Sequence, residues 1–590
     1  VFIPEDVIFR LLTWLYHLPY SKTLINKTLE MKLSRTKKAG IVIVGVCVFA
    51  ISFFSFKQDD KNFQIAKNLD IYYTLFRELN LFYVDEVEPT KLVKTSIDKM
   101  LESLDPYTNF IPEDDVEDFK FMTTGEYAGI GALISKQHGK IIISEPYEGF
   151  PAQKSGLKAG DVLLEVAGKS TDKLSTEDVS ALLKGPAQKP IVVKIQRYGQ
   201  KKPLEIEIIR EKIQIDPVPY YGMLDKETAY IRLSNFTENC AEKVKIALID
   251  LKEKHGAKTL VLDLRSNPGG LLVEAVRLAN LFIPKGQEIV STRGKVKQWD
   301  KIYTATENPV DTVMPIAVLV NRGSASASEI VAGAIQDLDR GMIIGTRTFG
   351  KGLVQTTRDL SYNAKLKITT AKYYIPSGRC IQALDYSHRN ADGSVGIIPD
   401  SLISKFQTKK GRVVFDGGGV APDVAVDDET LSNLATNLVT SSVIFDYATV
   451  FNSKTEKIPS PEEFEITPEI YSDFTKYVKE QDFKYESKTE SELNNLLDVA
   501  KKEKYYDLSK DEFEQLKLKL GHNLDQDLQH FKKEISDLLT DEIVSRYYYQ
   551  KGAIKAALRD DSDIKKAVEI LHTPDGYAAI FGSGRVIKAN

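Results

Sequence analysis

A chain of 590 residues, at about 100 to 200 residues per domain, predicts three to four domains with substantial cores. A formal net charge of −4 with 27% charged residues argues against nucleic acid and against a strongly acidic partner. Three cysteines (Cys47, Cys240, Cys380) form no disulfide framework, and neither they nor the seven scattered histidines show metal-ligand spacing, so no metal or cofactor is expected.

The first methionine is Met31, so residues 1–30 read as an upstream extension. Residues 39–56 are apolar and uncharged, near the lower length limit for a bilayer span, and they follow Lys32, Arg35, Lys37 and Lys38. The positive-inside rule then places the rest of the chain outside the cytoplasm. Two readings of residues 31–57 stay open: a retained inner-membrane anchor facing the periplasm, or a signal cleaved near Ala50-Ile-Ser52 on secretion to the periplasm or the extracellular side. Residues 58–122 read as a helical region, with apolar spacing of three and four in Ile71–Phe76 and Leu92–Leu101, broken at Leu104-Asp-Pro-Tyr-Thr108.

From 123 to 212 short strands surround one helix near Thr176–Leu183. The string Pro151-Ala-Gln-Lys-Ser-Gly-Leu-Lys-Ala-Gly-Asp161 with the loop Gly129-Ile130-Gly131-Ala132 resembles a PDZ domain, which implies binding of an added strand. Closely spaced N–H groups at Gly129–Ala132 are expected to receive a terminal carboxylate.

Residues 213–426 alternate strand and helix, with strands at 259–264, 288–293, 315–320 and 342–345, and so predict an α/β core with a largely parallel sheet. The strand at 315–320 runs into a turn holding Ser324, Ser326 and Ser328, and Lys351 follows in Gly345-Thr-Arg-Thr-Phe-Gly-Lys351. A serine hydroxyl needs a base, and lysine acts as one only as the neutral amine, with its pKa lowered by burial. Extended backbone would turn Gln355 to the same side as Lys351, where its amide can orient the amine. The bland reading of Ser326-Ala-Ser-Glu329 is a capping box with Ser326 as helix N-cap. Two glycines in Arg265-Ser-Asn-Pro-Gly-Gly270 leave backbone N–H groups open, so Gly269 or Gly270 with Ala327 is expected to form an oxyanion hole. Cys380 reads as a packed residue rather than a nucleophile. Residues 427–590 read as a helical C-terminal domain.

The serine in SASASE, the lysine and glutamine in FGKGLVQ, and the glycines in LRSNPGG together resemble the tail-specific, or C-terminal processing, serine peptidases, and the LDPY turn at Leu104–Tyr107 is similar to that family's. The resemblance runs from about Asp70 to Asp423. It implies a crotonase-like α/β core with an inserted PDZ domain, Ser326 as nucleophile, Lys351 as general base and Gln355 as its support. It also implies protein or peptide substrates recognised at the C-terminus, and an adaptor protein as a further partner. Two other readings stay open: a non-catalytic PDZ peptide-binding scaffold, and an acyl-CoA enzyme sharing the core.

Overall fold

The computed structural model describes residues 61–390, 392–427, 430–481, 483–485, 488–520 and 523–582, so the extension at 1–30 and the expected span at 39–56 lie outside the described residues. Among the described residues no single helix is long and apolar enough to cross a membrane. The chain divides into two units, residues 1–96 and 97–590. In the first, a helix over residues 61–82 leaves Phe63, Leu69, Tyr73 and Phe82 exposed.

In the second unit the six-stranded sheet Tyr220–Met223, Thr228–Arg232, Thr259–Asp263, Ile316–Val320, Met342–Gly345, Val424–Ala425 is parallel after its first, antiparallel pair. Ile316–Val320 is buried throughout, as expected for a strand covered on both faces. Side-chain alternation sorts it: Ile316, Val318 and Val320 meet the helices Cys240–Glu253, Leu272–Asn280 and Ala327–Asp337, whereas Ala317 and Leu319 face Ile564, Ala567 and Leu571. The third layer of the core is therefore the end of the chain, the helices Ser562–Leu571 and Pro574–Ile580. The described helices of the C-terminal region fall into two groups. Only the preceding helices, among them Val443–Lys454, Pro468–Glu480 and Lys532–Ala557, close around their own core of Tyr447, Phe474, Leu539 and Ile543.

The strand expected at 288–293 is absent from the parallel sheet. Glu288–Gly294 instead pairs antiparallel with Lys301–Thr304 and with Lys365–Tyr374. The short connection after Gly294 allows only a hairpin, since a parallel return needs a long crossover. A second departure lies in the region expected to be helical. The Asp105 carboxylate accepts the Tyr107 and Thr108 N–H groups, each at 2.8 Å, and turns the chain into the strand Asn109–Ile111, which pairs with Lys365–Tyr374.

The PDZ-like segment is a six-stranded sheet closed by the helix Thr176–Leu183, which a Ser175–Asp178 capping box starts. The antiparallel ribbon Glu126–Gly129 with Glu211–Gln214 joins it to the core at both ends. It also touches the helical tail, through His138 to Asp446 (2.8 Å) and Gln153 to the Tyr549 hydroxyl (3.0 Å).

Candidate active site

Strand Ile316–Val320 ends in the serine turn, and helix Ala327–Asp337 starts directly after Ser326. Ser326 has φ 56° and ψ −110°, a conformation that costs a non-glycine residue about 1 to 3 kcal/mol. Such a strained strand-to-helix turn projects its side chain outward, as a nucleophile elbow does. The neighbouring hydroxyls are spent in the core. Ser324 and Ser328 are both 0% exposed; Ser324 donates to Leu264 O (2.8 Å) and Ser328 to Asn267 O (2.9 Å). Of the three, Ser326 alone lines a cavity of about 570 Å³.

Lys351 and Gln355 line the same cavity. The lysine amine lies 4.2 Å from the centre of the Tyr107 ring, which meets Tyr386 edge-on. Burial, then the nearby Lys367 cation, lowers the Lys351 pKa to about 8, while Glu329 and Asp105 pull it up. The Gln355 amide does not reach the amine; it donates to Thr369 Oγ1 at 3.2 Å. Lys351 precedes the strand Leu353–Asp359, and a bulge interrupts the pairing at Val354/Gln355, so the simple alternation expected between the two residues does not apply.

The Gly269–Gly270 loop packs against the serine turn. A Cβ on Gly269, where φ is +96°, would come within 2.8 Å of Ser326 Cβ and 2.9 Å of the Ala327 nitrogen. The two glycines are not equivalent as donors, because the Gly269 N–H is taken by Asn267 Oδ1 at 2.9 Å. The Gly270 and Ala327 N–H groups have no acceptor among the described residues.

Two residues of this arrangement were not assigned their roles from the sequence. Glu329 is fully buried and accepts four hydrogen bonds: Ser326 N–H (2.8 Å) and Lys351 N–H (2.9 Å) on one oxygen, Gly350 N–H (2.7 Å) and the Thr348 hydroxyl (2.6 Å) on the other. Ser326 Oγ faces the Glu329 N–H in capping-box fashion without a full hydrogen bond. The capping-box signal was thus half the story, since the same carboxylate also holds the lysine turn. Burial raises its pKa to about 7 against those donors. Tyr373 places its hydroxyl between Lys351 O (2.6 Å) and Ser326 O (3.1 Å), and only its strand pattern was visible in sequence.

In the PDZ-like segment, Gly129 ends one strand and Ala132 begins the next. Ile130 is buried in the segment's core, and Gly131 turns the loop at φ +73°. The Gly131 and Ala132 N–H groups face the Tyr127 phenol oxygen.

A model of peptidase family S41 matches residues 227–403, a PDZ-domain model residues 142–197, and a model of the C-terminal helical domain of a probable PDZ-protease residues 434–571. A carboxy-terminal-processing protease of Bartonella bacilliformis is 37% identical over 371 residues, 62% of this chain and 81% of that relative. A probable CtpA-like serine protease of Staphylococcus aureus is 30% identical over 468 residues, 78% of this chain and 90% of its own. Among solved structures, a photosystem II D1 C-terminal processing protease aligns at 30% identity over 61% of this chain and 93% of its own, with a TM-score of 0.34. The PDZ domain of a Vibrio cholerae carboxy-terminal protease in complex with peptide aligns at 28% identity over 15% of this chain and 99% of its own, with a TM-score of 0.15. On the extent of these matches, the chain belongs to peptidase family S41, as a tail-specific serine protease with a PDZ domain.

Proposed function

We propose that this protease cleaves by a Ser326/Lys351 dyad. The neutral Lys351 amine takes the Ser326 proton as the oxygen attacks the scissile carbonyl, and the Gly270 and Ala327 N–H groups hold the oxyanion. Each such donor is commonly worth about 3 to 4 kcal/mol. Collapse breaks the C–N bond, Lys351 returns its proton to the leaving amine, and a water deprotonated by Lys351 then hydrolyses the acyl-serine. Gln355 supports the site through Thr369. The apolar part of the cavity, with Leu271, Leu272, Ile330 and Leu353, suits an apolar substrate side chain beside the scissile bond.

In this reading the core is of the crotonase type, and the Gly129–Ala132 loop of the PDZ domain takes the substrate's terminal carboxylate. Residues 39–56 tether the enzyme to the inner membrane with its active site outside the cytoplasm, a reading that rests on their composition and on the basic residues before them. The observation that carries the dyad is that Ser326, alone among the three serines of its turn, opens into the cavity that holds a lysine of pKa about 8. A fluorophosphonate probe tests it: the label maps to Ser326 in wild type and is lost in Lys351→Ala. Labelling at Ser324 or Ser328, or undiminished labelling of Lys351→Ala, would refute it.

A further inference from the structure

Lys367 is a second lysine in the cleft. It lies on the strand Lys365–Tyr374, opposite Thr357 on one side and Asn109 on the other, and lines the cavity shared by Ser326 and Lys351. Its neighbour Lys365 pairs with Asp359, yet the Lys367 side-chain amine has no hydrogen-bonding or ion-pair partner among the described residues. It is half-buried, and that burial works against its charge.

A cation withdrawn from water without an anion is costly, and the usual remedy is a paired carboxylate. The acids nearest the dyad are not available for this. Glu329 is held by four donors, and Asp105 by the N–H groups of Tyr107 and Thr108 and the Thr108 hydroxyl. The cleft thus leaves a place beside Lys367 for an anion brought by the substrate.

We propose that Lys367 forms a carboxylate-binding subsite of the cleft, selecting substrates that carry an acid within a few residues of the scissile bond. Along the strand Lys367 is six residues from Tyr373, whose hydroxyl meets the Ser326 carbonyl. At about 3.3 Å per residue that is ~20 Å of strand, which the reach of the lysine side chain shortens to about two to four residues of an extended substrate. Two sources supply the same chemistry, an Asp or Glu side chain or the substrate's own terminus. When the PDZ loop holds the terminus, the side chain is the source.

The inference rests on cleavage at Ser326, and its test keeps the two apart. The full-length enzyme and its Lys367→Met, Lys367→Arg and Lys367→Glu variants are assayed for kcat/KM on two peptide series. One is amidated and moves a single Glu or Lys, with Gln as control, through positions flanking the cleaved bond. The other lacks acidic side chains and ends as acid or amide at increasing distance beyond that bond. Wild type is expected to prefer the carboxylate about tenfold at one position, as one charge-assisted contact provides. Lys367→Met should lose the preference, Lys367→Arg should keep it, and Lys367→Glu should favour a Lys at that position. The series that responds identifies the source. Because each result is a ratio within one variant, the influence of Lys367 on Lys351 cancels. Equal ratios in wild type and Lys367→Met, or no inversion in Lys367→Glu, overturn the subsite while cleavage itself persists. Undiminished cleavage by Ser326→Ala would instead overturn the dyad.

Discussion

At Glu329 a single carboxylate fastens the turn carrying Ser326 to the turn carrying Lys351. Glutamine has one acceptor oxygen, so Glu329→Gln would point an NH₂ at two of the four donors. With each unsatisfied buried group costing about 1 to 3 kcal/mol, the variant is expected to lose roughly 2 to 4 kcal/mol of stability in denaturant melts, and to lose kcat more than KM. The pH dependence follows from Lys351. In the proposed dyad its amine is the base, its pKa is lowered to about 8, and so kcat/KM should rise with pH through that value rather than near the ordinary lysine pKa. Lys351→Arg should be inactive across the range, because a guanidinium stays protonated. A flat profile between pH 7 and 9 would count against the amine as base. That Ser326 and Lys351 line one cavity was legible, because a serine nucleophile with a lysine base calls for both in glycine-rich turns. Which of the Gly269 and Gly270 N–H groups is left open was not, because it depends on where the Asn267 side chain points.

Among the elements, the PDZ domain was readable from its glycine-rich strings, but the surroundings of the Gly129–Ala132 loop were not. The Tyr127 phenol oxygen faces the Gly131 and Ala132 N–H groups, to which we assign the substrate's terminal carboxylate. Tyr127→Phe removes the competing oxygen and leaves the ring that packs edge-on against Phe121. Peptides with a free carboxylate should then bind a few-fold tighter by calorimetry, and amidated peptides should not change. Equal gains for both would place the effect in ring packing. The strand Glu288–Gly294 shows the complementary failure of sequence reading. Its apolar run marks a strand correctly, but a strand's sheet is set by its partners, here a hairpin and the long strand Lys365–Tyr374. Likewise Gln355 shares the cavity with Lys351 but gives its amide to Thr369 rather than to the amine, beside a bulge that no alternating pattern announces.

For the whole molecule, the tail is part of the peptidase core. Ile564, Ala567, Leu571 and Phe581 cover the sheet face of Val261, Ala317, Leu319 and Ile344. Arg265, at the head of the Gly269–Gly270 loop, binds Asp263 (2.7 Å), Asp561 (2.7 Å) and Asp563 (2.9 Å). Composition identified the tail as helical, but not which of its apolar faces belong to the sheet. A chain ending at Ala557 should therefore be insoluble or unfolded rather than a trimmed active enzyme. Arg265→Met should cost about 3 to 5 kcal/mol, since it leaves carboxylates unpaired in a largely buried cluster. Recovery of full activity from the truncated chain would show that the last helices are dispensable to the core.

We propose that one serine in one turn cleaves protein substrates with one lysine as its base. The most direct test is to incubate an unstructured protein with the full-length enzyme and map the cleavages by mass spectrometry, for wild type beside Ser326→Ala, Ser324→Ala, Ser328→Ala and Lys351→Ala. The account predicts fragments from wild type, none from Ser326→Ala or Lys351→Ala despite native-like folding, and residual cleavage from whichever of the Ser324 and Ser328 variants folds. Fragments from Ser326→Ala matching those of wild type in position and rate would contradict it.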